Sequence, residues 1–267
     1  MIKLKKLERI LLAAVLGLLA LAVFGPGIAQ PEHQHVFADQ RKWQRIPFAM
    51  DVLSNLSFAA WGLAGMMCLS GLRMRSKPNT AHALAGLFFA GLVLTAAASS
   101  VYHLQPDDSG LGVDRLGMVI AFAGLLGVAV SNCISHRAGA ATAAAMLLLG
   151  PTSVWFWLIS GNVLPWLVIQ FGGMALILWL AAIKSLPGAL AVRWGMVILV
   201  YAVAKLLELA DHQTYELTSH AISGHSLKHL AASLAAWPVL NALVAGLDKT
   251  QNQCRIHLTN SENSAAH

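Results

Sequence analysis

Residues 81–103 read AHALAGLFFAGLVLTAAASSVYH, a stretch without a single Asp, Glu, Lys or Arg. About 20 apolar residues in a row are enough to cross the hydrocarbon core of a bilayer as a helix. Seven further runs of this kind can be placed, so the sequence predicts an all-α, polytopic membrane helix bundle. The eight predicted spans are 9–29, 48–71, 81–103, 113–133, 139–159, 163–183, 190–210 and 225–246.

The composition excludes an ordinary soluble domain. Hydrophobic residues make up 57% of the 267 residues and charged residues 11%, with a mean hydropathy of +0.64. A soluble domain carries about a quarter charged residues. The formal net charge of +6 would suit a nucleic-acid-binding protein, but the basic residues are not gathered in one patch. They follow the predicted connections between the spans.

The basic residues predict the orientation of the bundle. Alternate connections hold 12 of the 18 Lys and Arg residues, and the positive-inside rule places those connections in the cytoplasm. The opposite connections carry the acidic residues Asp107, Asp108, Asp211 and Glu216. Both chain ends are then cytoplasmic if all eight spans are retained. The basic set is Lys3, Lys5, Lys6, Arg9, Arg73, Arg75, Lys77, Arg137, Lys184, Arg193, Lys249 and Arg255.

The chain divides into three parts. Residues 1–30 are either an extra N-terminal transmembrane helix or a signal peptide, because a basic start and an apolar run precede Gly27-Ile28-Ala29. Residues 31–246 form a predicted seven-helix membrane domain, and 247–267 a polar cytoplasmic tail. Cys68, Cys133 and Cys254 have no spacing typical of disulfides or metal sites.

Five polar residues lie at predicted span ends and form the candidate site. Ser99 and His103 are four residues apart, Asp114 follows eleven residues later, and His225 and His229 are again four apart. Residues at i and i+4 share one helix face, and the predicted topology brings all five to the outer side of the membrane. Three imidazoles with an open fourth position are typical of catalytic zinc. The sequence therefore predicts a Zn²⁺ site at His103, His225 and His229.

Other interpretations of these polar residues stay open. A lone histidine at a helix end is often a headgroup contact, and haem is an alternative ligand for histidine in membrane proteins, although an i,i+4 pair would crowd one haem. Lys205, Glu208, Asp211 and Lys228 form a second polar group. Its members either pair with one another inside the bundle, or Glu208 or Asp211 orients a metal-binding histidine.

The combination of Ser-x3-His, a later Asp and a late His-x3-His resembles the alkaline ceramidase family, which is related to the progestin and adiponectin receptors. The segment Asp51-Val-Leu-Ser54-Asn55-Leu is also similar to the start of the first core helix in that family. The resemblance covers roughly residues 39–246. It implies a hydrolase that cleaves the amide bond of ceramide or another N-acyl lipid, with the lipid substrate entering from the bilayer.

The resemblance also implies roles for the five residues. His103, His225 and His229 would bind zinc, Asp114 would be the catalytic base that acts on the metal-activated water, and Ser99 would stabilise the oxyanion. The extra first span and the short loops indicate a bacterial member, in the inner membrane, with its site facing the periplasm. Asp39 and Asp51 offer too few oxygens for the calcium site of the animal enzymes, because calcium takes six to eight.

Two other classes of protein remain as alternatives. A receptor-like or scaffold membrane protein would hold a structural zinc ion, usually closed by four protein ligands. A transporter would use the same outer His, Asp and Glu residues to relay protons, although no pair of spans resembles an inverted repeat with matched helix breaks.

Overall fold

A computed structural model describes residues 4–32, 34–73 and 79–246. The predicted cytoplasmic tail 247–267 lies outside the described residues. Those described fold into a helical bundle without a named strand, which confirms the all-α prediction. The helices are α1 (Lys6–Phe24), α2 (Ala49–Ser54), α3 (Leu56–Arg73), α4 (Thr80–Leu104), α5 (Asp108–Cys133), α6 (His136–Ser160), α7 (Leu164–Ala181), α8 (Trp194–Leu209), α9 (Asp211–Leu217) and α10 (Gly224–Ser233).

Among the described residues, seven helical segments are long and apolar enough to cross a membrane, as in a multi-pass membrane protein. They are α1, α4, α5, α6, α7, the combined α2–α3 segment Ala49–Leu72, and Gly224–Gly246. This last segment consists of α10, a turn at 234–235 and a further helical stretch at 236–246. The seventh predicted span, 190–210, is shorter than expected. Its helix α8 has 16 residues, which is about 24 Å of helix.

The shorter α8 has a local explanation. Residues 182–193 form a loop that contains Pro187 and Gly188, with Gly188 at a φ of 75°, and α8 begins only at Trp194. The loop packs against the end of α5 instead, where Leu186 N donates to Asn132 O at 2.8 Å and Asn132 Nδ2 donates to Leu190 O at 2.9 Å. The apolar residues at the start of the predicted span 190–210 therefore belong partly to a loop that packs against α5, and only the later ones belong to helix α8.

Helices α4 and α5 form the centre of the bundle because their backbones meet closely. A Cβ on Gly91 would lie 2.3 Å from Ala121 N, and a Cβ on Gly124 would lie 2.2 Å from Phe88 N. Any side chain at either glycine would push the helices apart, since real Cβ atoms do not come this close. The pair holds the end of α4 and the start of α5 in a fixed relation, and these two points carry His103 and Asp114.

The ends of α6 and α1 are also fixed by specific residues. Helix α6 continues through Pro151 and ends at Ser160, with Gly161 at a φ of 70° as its C-cap. This is the predicted boundary between the fifth and sixth spans. Helix α1 packs along α7, where Leu18 lies against Gly172. The choice between a retained helix and a cleaved signal peptide at 1–30 stays a prediction.

Candidate metal centre

The last turn of α4 and the first two turns of α10 bring three histidines together. The ligand atoms of His103, His225 and His229 all lie within 4.8 Å of one another. All three side chains are buried, and His103 is fully so. His103 and His225 face each other through their Nε2 atoms at 3.3 Å. The three histidines therefore converge as predicted, although His103 and His225 are 122 positions apart in the chain.

The start of α10 is fixed by two acceptors. Ser223 is the N-cap, and its Oγ accepts a hydrogen bond from Ser226 N at 3.0 Å. Asp211 accepts from His225 N at 2.7 Å through Oδ1. These bonds satisfy backbone donors that a helix start leaves unpaired. They set the position of α10, and with it the direction in which His225 and His229 leave the helix.

A serine from α2 sets the tautomer of His229. Ser54 Oγ lies 2.8 Å from His229 Nδ1 and donates to Asp51 O at 3.0 Å. Because the hydroxyl proton is used on the carbonyl, the serine oxygen accepts from His229 Nδ1–H. The proton is then on Nδ1 and the lone pair on Nε2, the form in which imidazole binds a metal. Ser226 Oγ anchors the same short helix by donating to Asp51 Oδ1 at 2.6 Å.

The three histidines fit a zinc ion. Two nitrogen ligands at 2.0–2.1 Å from a tetrahedral zinc are about 3.3 Å apart, the separation found between His103 Nε2 and His225 Nε2. Neutral nitrogens are the donors that zinc prefers. Within the described part of the chain, His103 Nδ1 is buried without a hydrogen-bond partner, and the facing Nε2 atoms have only each other. A cation between the rings would satisfy the facing nitrogens.

The loop before α2 covers the histidines with an aromatic ring. The ring of Phe37 lies 4.8 Å from that of His103 and 4.5 Å from that of His225, centroid to centroid, and its side chain is 3% exposed. The loop is tied to the bundle next to this ring, because Ala38 N donates to Asp211 Oδ2 at 3.0 Å. Phe37 therefore excludes water from one side of the cluster.

The same loop contains an ion pair at its base. Arg41 donates to both oxygens of Asp39, at 2.8 and 2.6 Å. Burial raises the pKa of Asp39, but the hydrogen bonds from Arg41 outweigh this effect, and the pKa lies below its ordinary value. Arg41 also donates to Ala221 O at 2.9 Å, which connects the loop to the residues just before α10.

Ser99 and Asp114 lie on the wall of a large cavity beside the histidines. The cavity has a volume of about 910 Å³, and His225 and His229 also line it. Ser99 is buried on α4, one turn before His103, and its side chain lies next to the carboxylate of Asp114 on α5. Asp114 is half-buried and borders the cavity. The structure thus brings all five predicted site residues to one region of the bundle.

In the second polar group, Lys205, Glu208 and Lys228 pair with one another. Glu208 binds Lys228 at 2.7 Å and also accepts a hydrogen bond from Lys205, as the salt-bridge interpretation expects. Asp211 contacts two backbone amides rather than an imidazole. Its effect on the histidines runs through the position of α10.

Sequence reasoning gave no role to Ser54, Ser226 or Phe37. Ser54 lies within the Asp51–Asn55 segment that carries part of the family resemblance, which is the one signal that pointed to it. Neither spacing nor hydropathy places residue 54 beside residue 229, because they are 175 positions apart. Phe37 lies in a connection that reads as a plain loop.

No protein-family model matches this sequence, and no curated protein matches it. Arguments about function therefore depend on the geometry of the site and on the residues that carry the resemblance.

Proposed function

We propose that this protein is an intramembrane zinc-dependent hydrolase that cleaves the amide bond of ceramide-like N-acyl lipids. The observation that carries the proposal is the meeting of three neutral-nitrogen donors with Asp114 and Ser99 at a large cavity. A bacterial inner membrane, with the site facing the periplasm, is part of the proposal. It rests on the basic connections and on the resemblance to the alkaline ceramidases.

Each residue of the site has a task in this reaction. His103, His225 and His229 would hold the zinc ion, which supplies Lewis-acid activation of the water and the amide carbonyl. The Asp114 carboxylate accepts a proton from the attacking water and returns it to the leaving amine nitrogen. The Ser99 hydroxyl donates to the developing oxyanion. Water and the amide thereby become a carboxylic acid and an amine.

The cavity suits a lipid with a polar reacting group. Its polar wall holds Asp114 and two of the histidines, while the rest is largely apolar and contains Phe88, Leu125 and Met174. Burial of an acyl chain against such side chains is favourable at about 25 cal/mol per Å². An acyl chain in the apolar part would bring its amide to the polar wall.

The number of donors favours a hydrolase over a receptor-like or scaffold protein with structural zinc. Structural sites are usually closed by four protein ligands. In the described part of the chain, the group of metal-binding side chains at this site contains three histidines and no fourth member. A fourth position would therefore stay open for a reacting group.

The test is fatty-acid release from N-acyl lipids by zinc-loaded protein in detergent. Asp114→Asn should lower turnover by about 10²- to 10⁴-fold, because the substitution removes a general base, while zinc content stays the same. Glu216→Gln is the matched control, since Glu216 is an exposed acid that pairs with His220. Undiminished turnover in Asp114→Asn would refute the mechanism. An absence of hydrolysis in zinc-loaded wild type across ceramides and other N-acyl lipids would favour the structural-zinc alternative.

A further inference from the structure

Arg115 is a buried cation beside the proposed reaction site. It follows Asp114 on α5, its side chain is 6% exposed, and it borders the same cavity. Its guanidinium lies over two aromatic rings, 4.0 Å from the ring centroid of Trp157 on α6 and 5.4 Å from that of Trp166 on α7. Cation–π contacts with two tryptophans hold the group in place and keep water away from its faces.

Part of this guanidinium has no hydrogen-bond partner among the residues that the structure describes. Arg115 Nη2 donates to Gln30 Oε1 at 2.9 Å, whereas Nη1 is buried without a hydrogen bond. None of the ion pairs found among the described residues includes Arg115. The neighbouring acid Asp108 is occupied by other donors, because its Oδ1 lies 3.1 Å from Gln30 Nε2 and 3.0 Å from His35 Nε2.

The carboxylates of Asp114, Asp108 and Glu208 act on this charge electrostatically, but none of them is hydrogen-bonded to Nη1, so an anion at Nη1 would complete its hydrogen bonding. Removing a charged group from water is costly unless it is paired and hydrogen-bonded, and the aromatic rings offset only part of that cost. A guanidinium presents its N–H groups as a planar fork that matches a carboxylate or a phosphate. The unpartnered Nη1 carries two such groups on a side chain that borders the cavity. A ligand anion is the partner that would complete the site.

We propose that Arg115 recognises the headgroup, and that the substrate is an N-acyl lipid with a carboxylate or a phosphate close to its amide bond. This inference rests on the proposed amidase function and narrows its substrate class. Consecutive Cα atoms are about 3.8 Å apart, so Asp114 and Arg115 reach into neighbouring parts of the cavity. With the amide at Asp114, an anion at Arg115 belongs on the amine side, a few bonds from the nitrogen. A carboxylate on the adjacent carbon, as in an N-acyl amino acid, fits this distance.

The test compares ligands that differ in one group. N-oleoylglycine carries a carboxylate where N-oleoylethanolamine has a neutral hydroxyl, and phosphorylated N-oleoylethanolamine supplies the phosphate. Binding is measured by titration calorimetry on the full chain in detergent after EDTA treatment, because a bound metal would itself attract an anion. We expect one of the two anionic ligands to bind at least about tenfold more tightly than the neutral one. Which of them does so identifies the headgroup.

Arginine variants separate charge from geometry. Arg115→Gln should abolish the preference for the anion, and Arg115→Lys should keep part of it, since lysine retains the charge without the fork. Arg137→Gln is the matched control, because Arg137 pairs with Glu8 at the other end of the bundle and should leave the preference unchanged. The wild-type comparison stands even if an Arg115 variant fails to fold.

The outcomes distinguish this inference from the proposed function. Equal affinity of wild type for the neutral and both anionic ligands would overturn the role of Arg115. So would a preference that survives in a folded Arg115→Gln protein. If the anion preference is found and depends on Arg115, but the zinc-loaded protein releases no fatty acid, the binding site stands and the amidase proposal fails.

Discussion

At the end of the bundle where α5 finishes and α6 begins, a buried acid is fully engaged by its neighbours. Glu8 accepts hydrogen bonds from Ser135 Oγ and Arg137 Nη2, both at 2.8 Å, and from Lys5 N at 2.8 Å. At the opposite end, the histidine cluster turns ring nitrogens toward one another, and His103 Nδ1 has no hydrogen-bond partner.

The difference separates polar groups that join helices from polar groups that await a ligand. The Glu8 cluster connects α1 to the start of α6 and needs nothing more, because each oxygen has a donor. The histidine cluster is also well positioned, by the N-cap of α10 and by Ser54, yet its facing nitrogens have only each other as partners, and His103 Nδ1 has no partner among the described residues. Buried polar atoms without partners are rare in folded proteins. An unpartnered imidazole nitrogen beside two further buried histidines indicates where this protein binds a ligand.

The strongest test of the comparison removes two ligands. The double substitution His225→Ala/His229→Ala should reduce zinc from about one ion per chain to nearly none, because one imidazole cannot hold the ion alone. Elemental analysis of protein purified in detergent measures this. His136→Ala is the control, since His136 is bonded to Ser131 at 2.7 Å near the Glu8 end and should keep its zinc. An unchanged zinc content in the double variant would show that the histidine end binds no zinc and does not differ from the Glu8 end in this respect.

A second test opens the cover over the cluster. Phe37→Ala should lower the free energy of unfolding by about 3–5 kcal/mol, the usual loss when a buried Phe becomes Ala. It should also weaken zinc binding, because water reaches His103 and His225. Thermal unfolding with and without zinc measures both effects. Trp43→Ala should change both quantities little, because Trp43 lies in the same loop and is 56% exposed. If both variants lose the same stability and the same zinc affinity, Phe37 does not shield the histidines from water.

A third test concerns the orientation of one ligand. Ser54→Ala should weaken zinc affinity by about 10- to 100-fold, the typical effect of losing a hydrogen bond to a metal-binding histidine. Competition with a chelator of known affinity measures the change. Ser70→Ala serves as the control, because Ser70 is on α3 and its hydroxyl donates to Met67 O of the same helix. If both serine variants bind zinc equally well, the assigned tautomer of His229 is wrong.

The smallest effect is expected at the Glu8 end. Glu8→Gln should lower the melting temperature, because the charge that pairs with Arg137 is lost, and it should leave zinc stoichiometry and affinity unchanged. Thermal unfolding and the chelator assay on the same sample measure the two quantities. A fall in zinc affinity without a fall in melting temperature would reverse the assignment of roles to the two ends.

The helices could be predicted from the sequence because a membrane demands long apolar runs. The start of α5 was placed five residues late, at 113, since Asp107, Asp108 and Ser109 read as a loop. In the structure Asp107 is the N-cap of α5 and accepts from Gly110 N at 2.6 Å. Its pKa lies below the ordinary value chiefly because of that hydrogen bond. Acidic residues before an apolar run can therefore belong to the first turn of the helix.

The site could be predicted only as far as membrane depth allows. Charge patterning places His103, Asp114 and His225 at one side of the membrane. Histidines at the same depth of a small helical bundle are expected to lie near one another. The residues that complete the site are of another kind. Ser54 and Phe37 contact the histidines although they lie on segments far away in the chain. The membrane depth of a residue does not determine which segments pack beside its helix. Arg115 cannot be singled out from the sequence, because it is an isolated basic residue at a span end and belongs to no spacing pattern.

The close packing of Gly91 against Ala121 has a consequence for biosynthesis. Helices α4 and α5 are consecutive, and an antiparallel pair with such tight backbone contact can assemble as soon as α5 has entered the membrane. His103 is then in place while most of the chain remains to be made. His225 and His229 arrive on the last described membrane segment, so the three-histidine set is incomplete until α10 has been synthesised. Stable metal capture would therefore mark a chain that has been synthesised and folded as far as α10.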